Sequence, residues 1–295
     1  MKASEVVDIQ DYEGVRKPTW CPGCGNYAIL NAIKTALAEL NIPPSRTVLV
    51  SGIGCGSRLP YFIRANGVHS LHGRPIAVAM GIKLVRNDLN VIVVAGDGDT
   101  YGIGTSHFIH VFRLNVGITL LIQNNGVFGL TRGQPSPTAP LGFKGNLYRE
   151  FNPLLHALAS GATFVARVWT GDFQKMKEIF KEAIKHSYIE KRGTSFVDII
   201  QLCITYYPER NHEFFTKYFK DRVFYVDESS DYDITNYKLA IEYASMEFND
   251  KIPMGIFYHS DKLYSLEEMI IGKKVPPGLQ DISNIDVSRL LMSLT

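Results

Sequence analysis

Apolar positions along the chain alternate between two periods. Residues 26–41 place Ile29, Ile33, Ala36, Leu37 and Leu40 on one face at helical spacing, and the run 47–50 that follows is a short apolar strand. Residues 75–86 read as a helix, with Gly81 expected at a close packing contact, and precede a strand over 91–95. A helix over 103–114 precedes a strand over 118–122. Helical patterns at 152–160, 171–190 and 235–248 surround further strands at 163–168 and 196–200. A strand apolar at every position is one covered on both faces. This rhythm predicts an α/β fold built on a doubly wound, mostly parallel sheet. Residues 1–204 are expected to form the domain that carries the site. From about residue 205 the chain is more aromatic and charged, with Pro276-Pro277 near its end. It reads as a C-terminal extension packed on the same domain or on a partner subunit.

Composition narrows the function classes. The chain has 295 residues, 45% of them hydrophobic and 20% charged, which is ample for a packed core. A net charge of +2 leaves no basic excess for a dedicated nucleic-acid binder. No apolar run approaches the ~20 residues that span a bilayer. Glu5, Asp8, Asp11 and Glu13 crowd the N-terminus with no apolar segment between them, so no secretory signal is expected. A reducing cytoplasm follows as the expected compartment, where four cysteines serve metal or redox chemistry rather than a disulfide framework.

The chemistry sits just after the strands. Gly52-Ile53-Gly54-Cys55-Gly56 follows the first, Gly96-Asp97-Gly98-Asp99 the second, Asn124-Asn125-Gly126 the third and Cys203 the last. Ligands of an open parallel sheet bind beyond the carboxyl ends of its strands, so these four segments converge on one site.

Gly96-Asp-Gly98 alone suits a tight turn, and its glycines suit a dinucleotide loop. Asp97, however, would face a pyrophosphate, and two anions repel unless a cation lies between them. Hard oxygen ligands from Asp97 and the Asn125 amide suit Mg²⁺ bridging a diphosphate. The Cys21-Pro-Gly-Cys24 pair admits a thioredoxin-like redox pair, structural zinc or an iron–sulfur cluster, and Cys203 admits an inert buried role.

Gly96-Asp97-Gly98, separated by 25 residues from Asn124-Asn125, resembles the thiamine-diphosphate motif of the enzymes that use that cofactor. That resemblance implies Mg²⁺ held by Asp97, Asn125 and the Val127 carbonyl. The ordered set Trp20-Cys-Pro-Gly-Cys-Gly25, Gly52–Gly56, Gly67-Val-His-Ser-Leu-His-Gly-Arg74, Gly96–Asp99 and Asn125-Gly-Val-Phe-Gly-Leu-Thr-Arg-Gly-Gln134 resembles the beta subunit of archaeal-type 2-oxoacid:ferredoxin oxidoreductases. The resemblance spans about residues 18–205 and extends loosely into 253–258.

The resemblance implies CoA-dependent oxidative decarboxylation of a 2-oxoacid such as pyruvate or 2-oxoglutarate to acyl-CoA and CO₂, with electrons passing to ferredoxin. Cys21, Cys24, Cys55 and Cys203 would ligate one [4Fe–4S] cluster. Diphosphate contacts would come from Ile53, Gly54, Cys55, Gly56, His72, Gly73, Gly96, Gly98, Asp99, Gly129 and Leu130. Arg58 would meet the substrate carboxylate and His72 would serve at the diphosphate or thiazolium. Arg58 and Arg132 stand where the family often has lysine, which puts substrate preference in question. Only one diphosphate-type domain is legible, so a larger alpha subunit is expected to supply the glutamate that activates the cofactor. The rival readings are a non-oxidative thiamine-diphosphate decarboxylase or synthase, and a zinc or thioredoxin-like binding module.

Overall fold

A computed structural model describes residues 6–210, 212–246, 248, 251–283, 288 and 292. The other positions of the expected 205–295 extension, residue 247 of the helix expected over 235–248 among them, lie outside the described residues.

The chain builds one eight-stranded sheet from β1 (Thr47–Ser51), β2 (Asn66–His69), β3 (Asn90–Gly96), β4 (Thr119–Asn124), β7 (Phe164–Trp169), β8 (Ser195–Ile200), β9 (Val223–Tyr225) and β10 (Ile252–His259). Their order is β2-β1-β3-β4-β8-β7-β10-β9. The first six run parallel, β10 pairs antiparallel with β7, and β9 lies parallel to β10. A separate two-stranded hairpin joins β5 (Val127–Phe128) to β6 (Gln134–Pro135).

The central strands are buried at every position because helices cover both faces. One face, with Ile92, Val94, Leu121, Val197 and Ile199, packs on α1 (Asn26–Glu39) and α5 (Phe173–Ile184). The opposite face, with Val91, Val93, Leu120, Ile122 and Phe196, packs on α2 (Pro75–Val85), α3 (Thr105–Leu114), α4 (Pro153–Ala159) and α6 (Tyr237–Ala244). Each such side chain contributes about 1.5–3 kcal/mol on burial, so alternation along the strands drives both layers onto the sheet together.

Four details differ from the sequence expectation. Gly81 is exposed and a Cβ there would meet nothing within 4 Å, so no close contact calls for it. The helix expected from 103 begins at 105, because Gly98–Ile103 form a π-helical turn directly after β3. The 171–190 segment is α-helical over Phe173–Ile184, capped by the Asp172 side chain on the Lys175 N–H, and relaxes into a π-helical turn over Lys185–Ile189. Strands β2, β9 and β10 were not expected. The first is a largely exposed edge of polar residues, and the last two come from the segment after 205.

Candidate active site

The parallel register brings the ends of β1, β3, β4 and β8 to one edge of the sheet. The loop after each strand then turns over that edge and forms two adjoining hollows.

The first is a cleft lined by Ile53, Gly54, Cys55, Gly56, His72, Gly96, Asp97, Gly98, Asp99, Gln123, Asn125, Val127, Phe128, Gly129, Leu130 and Thr131. Of the diphosphate-contact residues expected from sequence, Gly73 alone lies outside this lining, and Arg58 opens elsewhere. Gly73 stands behind the cleft wall, where its N–H donates to the Asp99 carboxylate at 2.7 Å. The same Asp99 oxygen accepts from the Ile53 N–H at 3.2 Å and pairs with Nδ1 of His72. Asp99 therefore laces three loops together, and its carboxylate fixes Nδ1 of His72 as the protonated nitrogen.

Asp97 is buried at the cleft floor. One of its oxygens accepts from the Gly126 N–H at 2.9 Å and from the hydroxyls of Ser136 and Thr138, each at 2.6 Å. Burial pushes the carboxyl up despite these bonds. No lysine or arginine pairs with it among the described residues. A buried, hydrogen-bonded carboxylate without a cationic partner fits a bound divalent metal. Asn125 sits beside it at the turn, with Oδ1 accepting the Val127 N–H at 3.0 Å. Close packing keeps the floor backbone bare. A Cβ on Gly98 would fall 2.2 Å from the Phe128 ring, and one on Gly56 1.3 Å from Oε1 of Gln123. Among the described residues the buried Gln123 amide has no partner at either atom, nor has Oδ2 of Asp99. A cleft floored by bare glycine backbone leaves room for a polar ligand such as a diphosphate ester.

The second hollow gathers all four cysteines, Cys21, Cys24, Cys55 and Cys203, with Trp20, Arg58, Gln201 and Tyr206 among the other lining residues. Trp20 packs edge-on against Tyr27 and Phe62, and its indole N–H donates to the Cys55 carbonyl at 2.7 Å. That bond ties the Cys21–Cys24 loop to the Cys55 loop. Gly25 N–H donates to the Leu202 carbonyl at 3.4 Å, which brings in the Cys203 loop. All four thiols are free, and no disulfide forms. Burial pushes the Cys24 thiol up to about 11, opposed by the Asn26 N–H and raised further by Cys203, Cys55 and Cys21. Burial also raises Cys55 and Cys203. All four cysteines line this one hollow, and four thiols from separate loops are the donor set of an iron–sulfur cluster.

Cys55, Asn125, Gly129 and Leu130 line both hollows. Arg58 opens into the thiol chamber, with its guanidinium 5.7 Å above the Phe62 ring. Sequence reading missed Gln123, Phe128, Ser136, Thr138 and Gln201. The first immediately precedes Asn124-Asn125, so the strand-end rule would have found it. Ser136 and Thr138 carry no local signal, because they reach Asp97 only through the β5–β6 hairpin.

Two family models match the chain: the thiamine pyrophosphate enzyme C-terminal TPP-binding domain over residues 52–199, and the C-terminal region of the pyruvate ferredoxin oxidoreductase beta subunit over 203–274. The chain is 43% identical over 284 residues to the 2-oxoacid:ferredoxin oxidoreductase subunit beta of Saccharolobus solfataricus, covering 91% of this chain and 90% of that one. It is 37% identical over 256 residues to the 2-oxoglutarate synthase subunit KorB of Methanocaldococcus jannaschii, covering 85% and 90%. Among solved structures, 2-oxoglutarate:ferredoxin oxidoreductase from Magnetococcus marinus, with 2-oxoglutarate, coenzyme A and succinyl-CoA bound, superimposes with a TM-score of 0.85 at 34% identity, covering 99% of this chain and 97% of that one.

Proposed function

The chain belongs to the beta subunits of the 2-oxoacid:ferredoxin oxidoreductases, and from that premise we propose that it binds thiamine diphosphate through Mg²⁺ and carries one [4Fe–4S] cluster that accepts the electrons of 2-oxoacid oxidation. The observation that carries this reading is the shared wall of Cys55, Asn125, Gly129 and Leu130 between the cleft and the four-thiol chamber. When bound, thiamine diphosphate supplies the carbon nucleophile and electron sink for decarboxylation, and the cluster supplies a one-electron acceptor.

The chain's own residues orient and insulate these groups. Asp97, Asn125 and the Val127 carbonyl would hold the Mg²⁺. Ser136, Thr138 and the Gly126 N–H keep Asp97 turned toward it. The glycines at 54, 56, 96, 98 and 129 let the backbone approach the diphosphate, and Phe128 walls off water at Gly98. His72 holds a proton at Nδ1 against Asp99, which leaves Nε2 to accept or return one at the reacting end of the cleft. Cys21, Cys24, Cys55 and Cys203 would hold the cluster. Gln201 directs its amide at Cys24 Sγ over 3.7 Å and at Asn26 over 2.8 Å, which stiffens that ligand.

Arg58 would reach the substrate carboxylate from the chamber side, with Leu130 on the shared wall selecting among side chains. Leu130 on the cleft lining is 53% exposed, and Leu71, next to His72 in the chain, is 76% exposed. Apolar surface at the mouth of a site suits cover by an alpha subunit that also supplies the activating glutamate. Ferredoxin would take the electrons and coenzyme A the acyl group. Among the described residues no helix is long and apolar enough to cross a membrane.

The test is anaerobic purification with and without the alpha subunit. Iron and sulfide near four per chain, and an EPR signal that appears when a 2-oxoacid is added to the complex but not to the single chain, are expected. Zinc in place of iron, or turnover by the single chain, would overturn the proposal.

A further inference from the structure

Thiol chamber and cleft both lie at the carboxyl ends of the parallel strands. A third cluster lies at the opposite edge. His186 sits in the π-helical turn Lys185–Ile189, Glu190 caps that turn, and His259 ends β10 beside Phe164 at the start of β7. We propose that His186, Glu190 and His259 form a divalent-metal site of zinc type, independent of the catalytic cofactors, that clips the end of α5 to the end of β10.

One ring nitrogen from each histidine and a Glu190 carboxylate oxygen all lie within 4.8 Å of one another. Zinc takes imidazole nitrogen and carboxylate oxygen at about 2.0–2.2 Å, so small side-chain rotations would bring the three donors onto one ion. The two imidazoles meet at 74° with centroids 5.0 Å apart.

Hydrogen bonds around Thr163 allow His186 a tautomer with Nδ1 free to ligate. Asn115 donates through Nδ2 to the carbonyls of Arg192 and Tyr264, which fixes its amide orientation. Its Oδ1 accepts from the Thr194 N–H at 3.1 Å and from the Thr163 hydroxyl at 3.1 Å. The other acceptors near that hydroxyl are carbonyls of Arg192 and Thr194, each at 3.4 Å. With the Thr163 proton on Asn115 Oδ1, Nε2 of His186, 2.9 Å from Thr163 Oγ1, is the donor of that pair and Nδ1 keeps its lone pair.

This Nδ1 is buried and has no hydrogen-bond partner among the described residues, in a side chain that is fully inaccessible. A buried lone pair without a donor is costly unless an ion takes it. A ligating histidine whose second nitrogen is tied down by an oxygen is the usual outer-sphere arrangement at zinc. Mere edge-to-face contact between two imidazoles would explain the ring angle and leave the bare nitrogen unexplained.

Glu190 is exposed and is the anionic member, so the ion would keep one side open to water. Arg192 is the nearby cation, and its guanidinium is turned to the Asp261 carbonyl at 2.8 Å and the Tyr264 ring at 4.5 Å.

The experiment uses the alpha–beta complex with its iron intact, freed of loosely bound metal by a chelating resin. Zinc uptake and the thermal midpoint are followed during titration with ZnCl₂, for wild type, His259→Gln and Glu190→Gln. One zinc per beta chain, a midpoint that rises by several degrees, and at least tenfold weaker binding in both variants at unchanged iron content are expected. Glu190 lies at the surface, so its variant keeps the comparison informative if His259→Gln folds poorly. Equal uptake and equal midpoint shifts in all three proteins, or no uptake by wild type, would overturn the site.

Discussion

The Asp99 carboxylate and the Gly73 N–H meet at 2.7 Å, and this bond hooks the loop after β2 onto the turn after β3. The same oxygen also takes the Ile53 N–H and Nδ1 of His72, so one buried acceptor organises three loops of the cleft.

Asp99→Ala is accordingly expected to cost about 2–5 kcal/mol, since it leaves a buried and a part-buried backbone donor unpaired. Thermal melts should show the loss without added cofactor. Stabilisation by thiamine diphosphate and Mg²⁺ should weaken as well, while iron content holds. An unchanged response to the cofactor would remove Asp99 from the architecture of the cleft.

Asp97→Asn separates metal binding from folding. Removing a buried charge that has no cationic partner is expected to leave the cofactor-free protein as stable or more stable, by roughly 1 kcal/mol. The melting shift on adding Mg²⁺ and thiamine diphosphate should vanish; a saturating ligand at 100 times its Kd gives ~2.7 kcal/mol in the wild type. A full shift in the variant would place the metal elsewhere.

Cys24→Ser tests the chamber. Cys24 is partly buried and touches Gln201 through its sulfur. Iron should fall well below about four per chain under anaerobic conditions, with the thiamine-diphosphate melting shift retained. Wild-type iron content in this variant would return Cys24 to a packing role.

Arg58→Lys and Leu130→Ala address substrate choice. Arg58 offers a planar fork to a carboxylate where lysine offers a point charge. The ratio of kcat/KM for 2-oxoglutarate to that for pyruvate is expected to change about tenfold, or ~1.4 kcal/mol, in at least one of the two. An identical substrate profile in both would count against these contacts.

Lys83 makes stability depend on pH far from the site. It is a buried residue in the last turn of α2, with its ammonium on the carbonyls of Leu89 at 2.8 Å and Asn87 at 3.2 Å. Burial lowers it to about 8 from 10.5, only partly offset by Glu267. Below pH 8 the folded state carries a desolvated charge that the unfolded chain keeps in water. As pH rises from 8 toward 10.5, the folded state sheds the proton first and stability increases, by at most about 1.4 kcal/mol per pH unit from this group. Denaturant titrations of wild type and Lys83→Met across pH 7.5–9.5 should show that rise in the former and a flatter line in the latter.

Much of this molecule was legible in one dimension because two local periods carry it. The runs Val91–Ala95 of β3 and Leu120–Ile122 of β4 are apolar at successive positions, since each side chain meets a helix on one face or the other. Their helices announced themselves through spacing, and the glycine-, aspartate- and asparagine-rich loops fell at one edge because parallel strands all end there. Cys55, Asp97 and Asn125 could thus be brought together from sequence alone.

Tertiary structure decided what depends on contacts between distant segments. β2 is an exposed edge whose polar residues carry no strand period, and β10 reverses direction against β7 without any local mark. Ser136 and Thr138 reach Asp97 across 39 and 41 residues, and Thr163 reaches His186 across 23. Arg58 faces the thiols rather than the cleft floor because the short helical turn Gly56–Tyr61 rotates it there. Hydrophobic periodicity is a local property that a chain displays before it folds. Hydrogen-bond partnership, tautomer and the side of a wall that a residue faces exist only once packing has set every neighbour in place.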